Sequence, residues 1–139
     1  GHPFPAESRE DAIIRRLNFE LGMSISVPKL VLPKYVYKTP PYDGVIEHEY
    51  CPVYVAIATS VAMPNPEEVE DHKWVDWDWY VQELKNDSDD YSMFKDSIPK
   101  DSELGSNHIP KWSWWCKDQL KYLEKNKTFL DFLSNLIRK

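Results

Sequence analysis

Glu47 and Glu49 stand two residues apart in the run Ile46-Glu47-His48-Glu49-Tyr50-Cys51-Pro52. On a strand they share a face, with their carboxylates roughly 7 Å apart along the backbone. Carboxylates so placed repel one another unless a metal ion or a shared proton relieves them. In isolation the pair reads as the solvated face of an edge strand, because acidic residues usually sit in water. The continuously apolar residues 53–58 follow directly, which anchors the pair to a core strand and favours chemistry. Arg16 and Glu20 form a second constellation, four apart and therefore on one helix face. Alone, they are a surface ion pair worth about a few tenths of a kcal/mol.

The elements that hold these groups are legible in outline. Ser8 suits a helix N-cap, its hydroxyl accepting a free backbone N–H, and Asp11 makes a capping-box variant. Ile13, Leu17 and Leu21 follow at helical spacing, and Gly22 sits where a left-handed cap is wanted. Residues 24–34, punctuated by Pro28 and Pro33, are irregular or a short strand. Residues 35–38 alternate as a strand with Tyr35 and Tyr37 on one side, and a turn follows over 40–44. Residues 45–59 are predicted to be the longest strand, buried in a sheet from Val53 onward.

Residues 64–68 form a loop, and 72–77 a strand entering a short helix near 79–84. The polar stretch 85–109 is a loop or a partly ordered insertion. Two helices close the chain, over 111–124 and 128–138. The second is capped by Thr128 with Asp131 and carries Leu130, Leu133 and Ile137. A loop–helix, then a sheet, then helices packed on it give the class α/β.

With 139 residues the chain is one domain, 1–139. A net charge of −6, with Arg15 and Arg16 a pair rather than a patch, excludes a nucleic-acid surface. Six Trp, eight Tyr and five Phe suit a large core or an apolar ligand pocket. Cys51 and Cys116 have neither zinc-knuckle nor disulfide spacing, and Cys116 reads as a small buried hydrophobe. The longest apolar run is too short to cross a bilayer, and no signal peptide is visible. A soluble protein in the reducing cytoplasm is expected, without membrane partners. The chain has no initiator Met and starts abruptly in a loop, so it is expected to continue before Gly1.

The first helix also resembles the Nudix box. Gly1, Glu7, Arg15, Leu17, Glu20, Gly22 and Met23 fall in its register. Arg16 and Phe19 stand where Nudix hydrolases carry carboxylates that gather magnesium around a diphosphate, which tells against hydrolysis. Glu47-x-Glu49 before Cys51-Pro52-Val53, with His2-Pro3, Tyr35-x-Tyr37-Lys38, Gly44, residues 64–69 and Trp74, resembles type I isopentenyl-diphosphate isomerase. The resemblance covers Gly1 to about Trp79 closely and the C-terminal helices loosely.

That resemblance implies a Nudix-like mixed sheet flanked by helices, and an allylic proton transposition between isopentenyl and dimethylallyl diphosphate. It implies that Glu49, with Tyr37, protonates the double bond. His2, Glu47 and Glu49 match three ligands of a site for a divalent metal (magnesium, manganese or zinc). Glu20 matches the carboxylate that holds a magnesium ion on the diphosphate, and Arg16 a diphosphate-binding arginine. Trp112, or else Trp114 or Trp115, matches the ring facing the carbocation.

The chemistry agrees: a tertiary cation needs a dry pocket with π faces, and a diphosphate suits an arginine fork and a divalent ion. The family's other two His and its catalytic Cys would lie upstream, so the chain as given is expected to be inactive by itself. The partner is a small-molecule substrate, and the protein a monomer or weak dimer. The alternatives are a Nudix hydrolase of a diphosphate substrate and a catalytically inactive Nudix-like binding module.

Overall fold

The computed structural model describes residues 1–39, 41, 44–90 and 110–137. The chain divides into two compact units, Gly1–Leu30 with Tyr54–Trp74, and Val31–Val53 with Val75–Lys139. Among the described residues the elements are α1 (Arg9–Leu21), β1 (Lys29–Leu32), β2 (Val36–Lys38), β3 (His48–Tyr50), β4 (Val53–Val55), α2 (Trp77–Asn86), α3 (Trp114–Leu123) and α4 (Lys127–Ile137). β1 forms a two-stranded sheet with β4, and β2 another with β3. The class is α/β, as expected.

In the first unit, local signals start and stop α1. The Ser8 hydroxyl accepts the Asp11 N–H at 3.1 Å, a cap worth about 1 kcal/mol. Glu10 and Asp11 place negative charge at the positive end of the helix dipole. Gly22 closes the helix in the left-handed region, φ 55°, its N–H returning to the Asn18 carbonyl at 2.9 Å. Ala12 is the buried residue of the helix. Beyond Gly22, Ser24 and Ser26 exchange backbone hydrogen bonds with Thr59 and Ile57 around an antiparallel bridge of Ile25 with Ala58. The Met63 and Asn65 N–H groups donate to the Leu21 and Glu20 carbonyls at 2.7 and 2.8 Å, tying residues 63–65 to the end of α1.

In the second unit, β2 and β3 pair antiparallel, Val36 with Tyr50, Tyr37 with Glu49 and Lys38 with His48. Val31, Leu32, Tyr35, Leu84, Leu120, Leu123 and Phe129 are its buried apolar residues. An aromatic file runs through it. The Phe129 and Trp77 ring centres are 4.9 Å apart, Trp77 and Tyr80 5.6 Å, and Tyr80 and Trp112 5.1 Å. The first and last of these pairs meet edge to face, an arrangement that adds about 0.5–1.5 kcal/mol each beyond the area it buries.

Several expected elements differ. The long strand over 45–59 is two short ones, because Pro52 has no N–H for a ladder and Cys51 donates instead to the Tyr35 carbonyl at 2.8 Å. β4 is half-buried rather than enclosed. Residues 72–76 form no strand, since Asp76 caps α2 by accepting the Asp78 and Trp79 N–H groups. α3 starts later than expected, at Trp114.

α4 is capped by Asn126, whose Oδ1 accepts the Phe129 N–H at 2.8 Å, and not by Thr128. Asp131 pairs with Lys127 instead. The buried side of α4 therefore carries Phe129, while Leu130 is 42% exposed. Cys116 is half-buried and accepts the Ser113 hydroxyl at 3.0 Å. Most of the turn expected over 40–44, and all of 91–109, lie outside the described residues.

Candidate active site

The site residues expected from the sequence divide between the two units. His2, Arg16 and Glu20 belong to the first unit, and Tyr37, Glu47, Glu49 and Trp112 to the second. On α1, Arg16 and Glu20 are one turn apart, and the guanidinium donates to the Glu20 carboxylate. Glu68 approaches the same guanidinium at 3.7 Å. Among the described residues, Arg16 Nε is buried without a hydrogen-bond partner. The Gly1 backbone lies so close that a Cβ there would stand 2.7 Å from this nitrogen. The guanidinium also lies 5.3 Å from the Phe19 ring. At the two positions where hydrolysis wants carboxylates, the molecule thus sets a cation against an aromatic face.

The loop before α1 is held by a pair the sequence offered only as residues in register. Arg15 grips Glu7 with both ends, Nε to Oε1 at 2.8 Å and a terminal nitrogen to Oε2 at 2.9 Å. Two-pronged pairs are the strong ones among charge-assisted hydrogen bonds. Glu7 also accepts the Phe4 N–H at 2.7 Å, and Arg15 stacks 3.8 Å over the Phe4 ring. The Arg15 hydrogen bond, then the Phe4 N–H, hold the Glu7 carboxyl down at about 2. Arg15 also donates to the His2 carbonyl at 3.2 Å, so this clamp fixes the backbone that bears His2. Its partners lie in different turns of chain, and no local periodicity announces them.

On the hairpin of the second unit, Tyr37 directly opposes Glu49. Opposed residues in an antiparallel pair project to the same face, and Glu47, just before β3, is near enough for its charge to act on Tyr37. The Tyr37 hydroxyl reaches Glu49 Oε2 at 3.4 Å, a long contact. Burial first, then the charges of Glu49 and Glu47, push the phenol up to about 12. It is therefore protonated through the neutral range and able to donate. Tyr35 stands beside it, ring centres 6.0 Å apart, its hydroxyl donating to Asp118 at 2.8 Å. Burial, then Glu49, also raise the Cys51 thiol, which makes it a poor thiolate. Trp112 is half-buried and Trp115 is 41% exposed.

Carboxylates are the right donor chemistry for hard divalent cations, which take six or more oxygens. Among the described residues, neither unit gathers three His, Cys, Asp or Glu side chains as a metal site. The residues present fit such an ion in type but not in number. Glu20 is one-third exposed and meets Arg16 through Oε1, which leaves its second oxygen open to a cation.

The NUDIX domain family matches residues 1–97 of the chain. The chain belongs to that family. Its mixed α/β architecture is the Nudix-like one expected. The NUDIX chain is also similar to curated relatives named isopentenyl-diphosphate Delta-isomerase. It is 51% identical over 75 residues to the one from Paenarthrobacter aurescens, covering 54% of this chain and 41% of the relative. To the one from Saccharopolyspora erythraea it is 38% identical over 108 residues, covering 77% of this chain and 56% of the relative. To an Escherichia coli one it is 46% identical over 76 residues, covering 55% and 42%. The chain spans about half the length of the curated relatives it matches. Among the described residues, no helix is long and apolar enough to cross a membrane.

Proposed function

We propose that this NUDIX chain belongs to an isomerase that interconverts isopentenyl and dimethylallyl diphosphate, with residues 1–139 as a single Nudix-like domain of it. The observation that carries the reading is the β2–β3 register, which sets a protonated Tyr37 opposite Glu49. The likeness to relatives of that name supports it. The pairing of Arg16 with Phe19, where a hydrolase carries carboxylates, supports isomerisation over hydrolysis.

In this reading Glu49, assisted by the Tyr37 hydroxyl, delivers a proton to the terminal alkene carbon. The double-bond electrons form the new C–H bond and leave a tertiary cation. An aromatic face then shelters the cation, with Trp112 the proposed ring. A base outside this chain, for which the resemblance implies a Cys, removes a proton from the opposite face and restores a double bond. Proton gain and loss balance, and the diphosphate stays intact. Arg16 binds the diphosphate. Glu20 would hold magnesium, and His2, Glu47 and Glu49 part of the shell of a second divalent ion. Bound there, such ions would neutralise diphosphate charge and set carboxylate acidity. The setting proposed is cytoplasmic, which suits two free cysteines.

The test replaces Glu49 by Gln in the full-length protein. The expected result is loss of deuterium exchange from heavy water into substrate by about 10²–10⁴-fold, the usual worth of a general acid. Exchange at the parent rate overturns the assignment, and release of phosphate by the parent protein points to hydrolysis instead.

A further inference from the structure

Asp87 follows the last residue of α2, and its side chain is 5% exposed. Oδ1 accepts the Lys111 N–H at 2.9 Å, and Oδ2 accepts the N–H groups of Lys111 and Trp112, each at 3.0 Å. Lys117 Nζ lies 2.9 Å from Oδ2, on a side chain 10% exposed. The same ammonium donates to the Ser88 carbonyl and lies 3.5 Å from Asp89. Burial works to raise the Asp87 carboxyl. The Lys111 N–H, the Lys117 ammonium and the Trp112 N–H outweigh it and hold the group below its usual value.

α3 begins without its own anchors. Its first turn has no acidic residue, and Ser113 at the cap position makes no side-chain cap hydrogen bond. A lysine one turn into a helix opposes the helix dipole unless an anion answers it. Asp87 answers Lys117 and also grips the two N–H groups leading into the helix. Buried ion pairs replaced by apolar residues often leave a protein no less stable, so stability alone explains such a pair poorly. What this pair fixes is geometry. Residues 112–115 carry the three tryptophans Trp112, Trp114 and Trp115, and Trp112 is seated edge-on against Tyr80.

We infer that Asp87 and Lys117 are positioning residues of the isomerase, setting where the aromatic run 112–115 stands so that one of its rings can shelter the cation. Neither residue touches substrate. The inference rests on the function proposed above.

The experiment compares Asp87→Asn, Lys117→Gln and Lys117→Arg in the full-length protein, at a temperature where each is folded by far-ultraviolet circular dichroism. Asp87→Asn and Lys117→Gln are expected to lower kcat for isopentenyl diphosphate at least tenfold. KM should stay within twofold, because the diphosphate grip is untouched. Their near-ultraviolet tryptophan bands should change, and Lys117→Arg, which keeps the ion pair, should restore kcat to within threefold. A folded Asp87→Asn with parental kcat overturns the inference, as does a Lys117→Arg no better than Lys117→Gln. A fall in melting temperature with kcat unchanged assigns the pair a structural role only and overturns it too. Should Asp87→Asn not fold, the two Lys117 variants decide. A parent protein that never exchanges deuterium into substrate overturns the function itself, a failure read from the parent and not from the variants.

Discussion

The α1 region and the β2–β3 hairpin handle acidic side chains in opposite ways. Around α1 each featured carboxylate meets an arginine, Glu7 with Arg15 and Glu20 with Arg16, and Glu68 leans on Arg16 as well. On the hairpin, Glu47 and Glu49 make no ion pair among the described residues, and Glu49 has only the long contact from Tyr37. A carboxylate answered by a guanidinium already has its charge met. Carboxylates left side by side without a cation repel one another, and a metal ion or a shared proton would relieve them. The buried apolar residues divide in the same sense. The first unit buries Ala12, Met23 and Pro28 among the described residues, whereas the second encloses Val31, Leu32, Tyr35, Leu84, Leu120, Leu123 and Phe129. The second unit therefore encloses the larger set of buried apolar side chains.

The contrast can be broken at either region. The largest effect belongs to Glu49→Gln, whose loss of exchange by about 10²–10⁴-fold should come with an unchanged melting temperature. A large stability change there would mean that the hairpin carboxylate is structural after all. Tyr37→Phe removes the donor but leaves the acid, so a smaller loss of about tenfold in kcat is expected from the same exchange measurement.

Glu7→Gln sharpens the other side. Its native carboxyl is held down at about 2 by Arg15, so folding gains stability from the ionised form above the unfolded value. That gain is complete above the ordinary carboxylate range and disappears as pH falls from about 4.5 toward 2. Acid melting curves of the parent should fall through this window, and those of Glu7→Gln should fall less. The smallest effect is Asp131→Asn on α4, whose partner Lys127 is 89% exposed; its melting temperature should match the parent's.

What could be read from the residues alone follows the range of the forces involved. Ser8, Asp11 and Gly22 act on neighbours within a turn, so α1 was legible to its ends. The alternation of Tyr35 with Tyr37 likewise put their rings side by side. The strand over 45–59 was overdrawn because apolar character spoke louder than the missing N–H of Pro52. The start of α4 was misread because Asn126 and Thr128 are both good caps. A tertiary bond chose between them, from Asn126 Nδ2 to the Val31 carbonyl at 2.8 Å. The same limit hid Glu7 with Arg15, Glu68 with Arg16 and Asp87 with Lys117. Each joins parts of the chain that no periodicity connects.

Position 22 offers a last lesson about what this scaffold can tolerate. Asparagine often replaces glycine in left-handed backbone, yet here any Cβ would arrive 2.5 Å from the main-chain oxygen of Met63, an obstacle that no rotamer change removes. Met63 cannot retreat without giving up its own amide's bond to Leu21. A saturation library at this codon should therefore return the parental amino acid almost alone, with asparagine and aspartate rejected as firmly as valine.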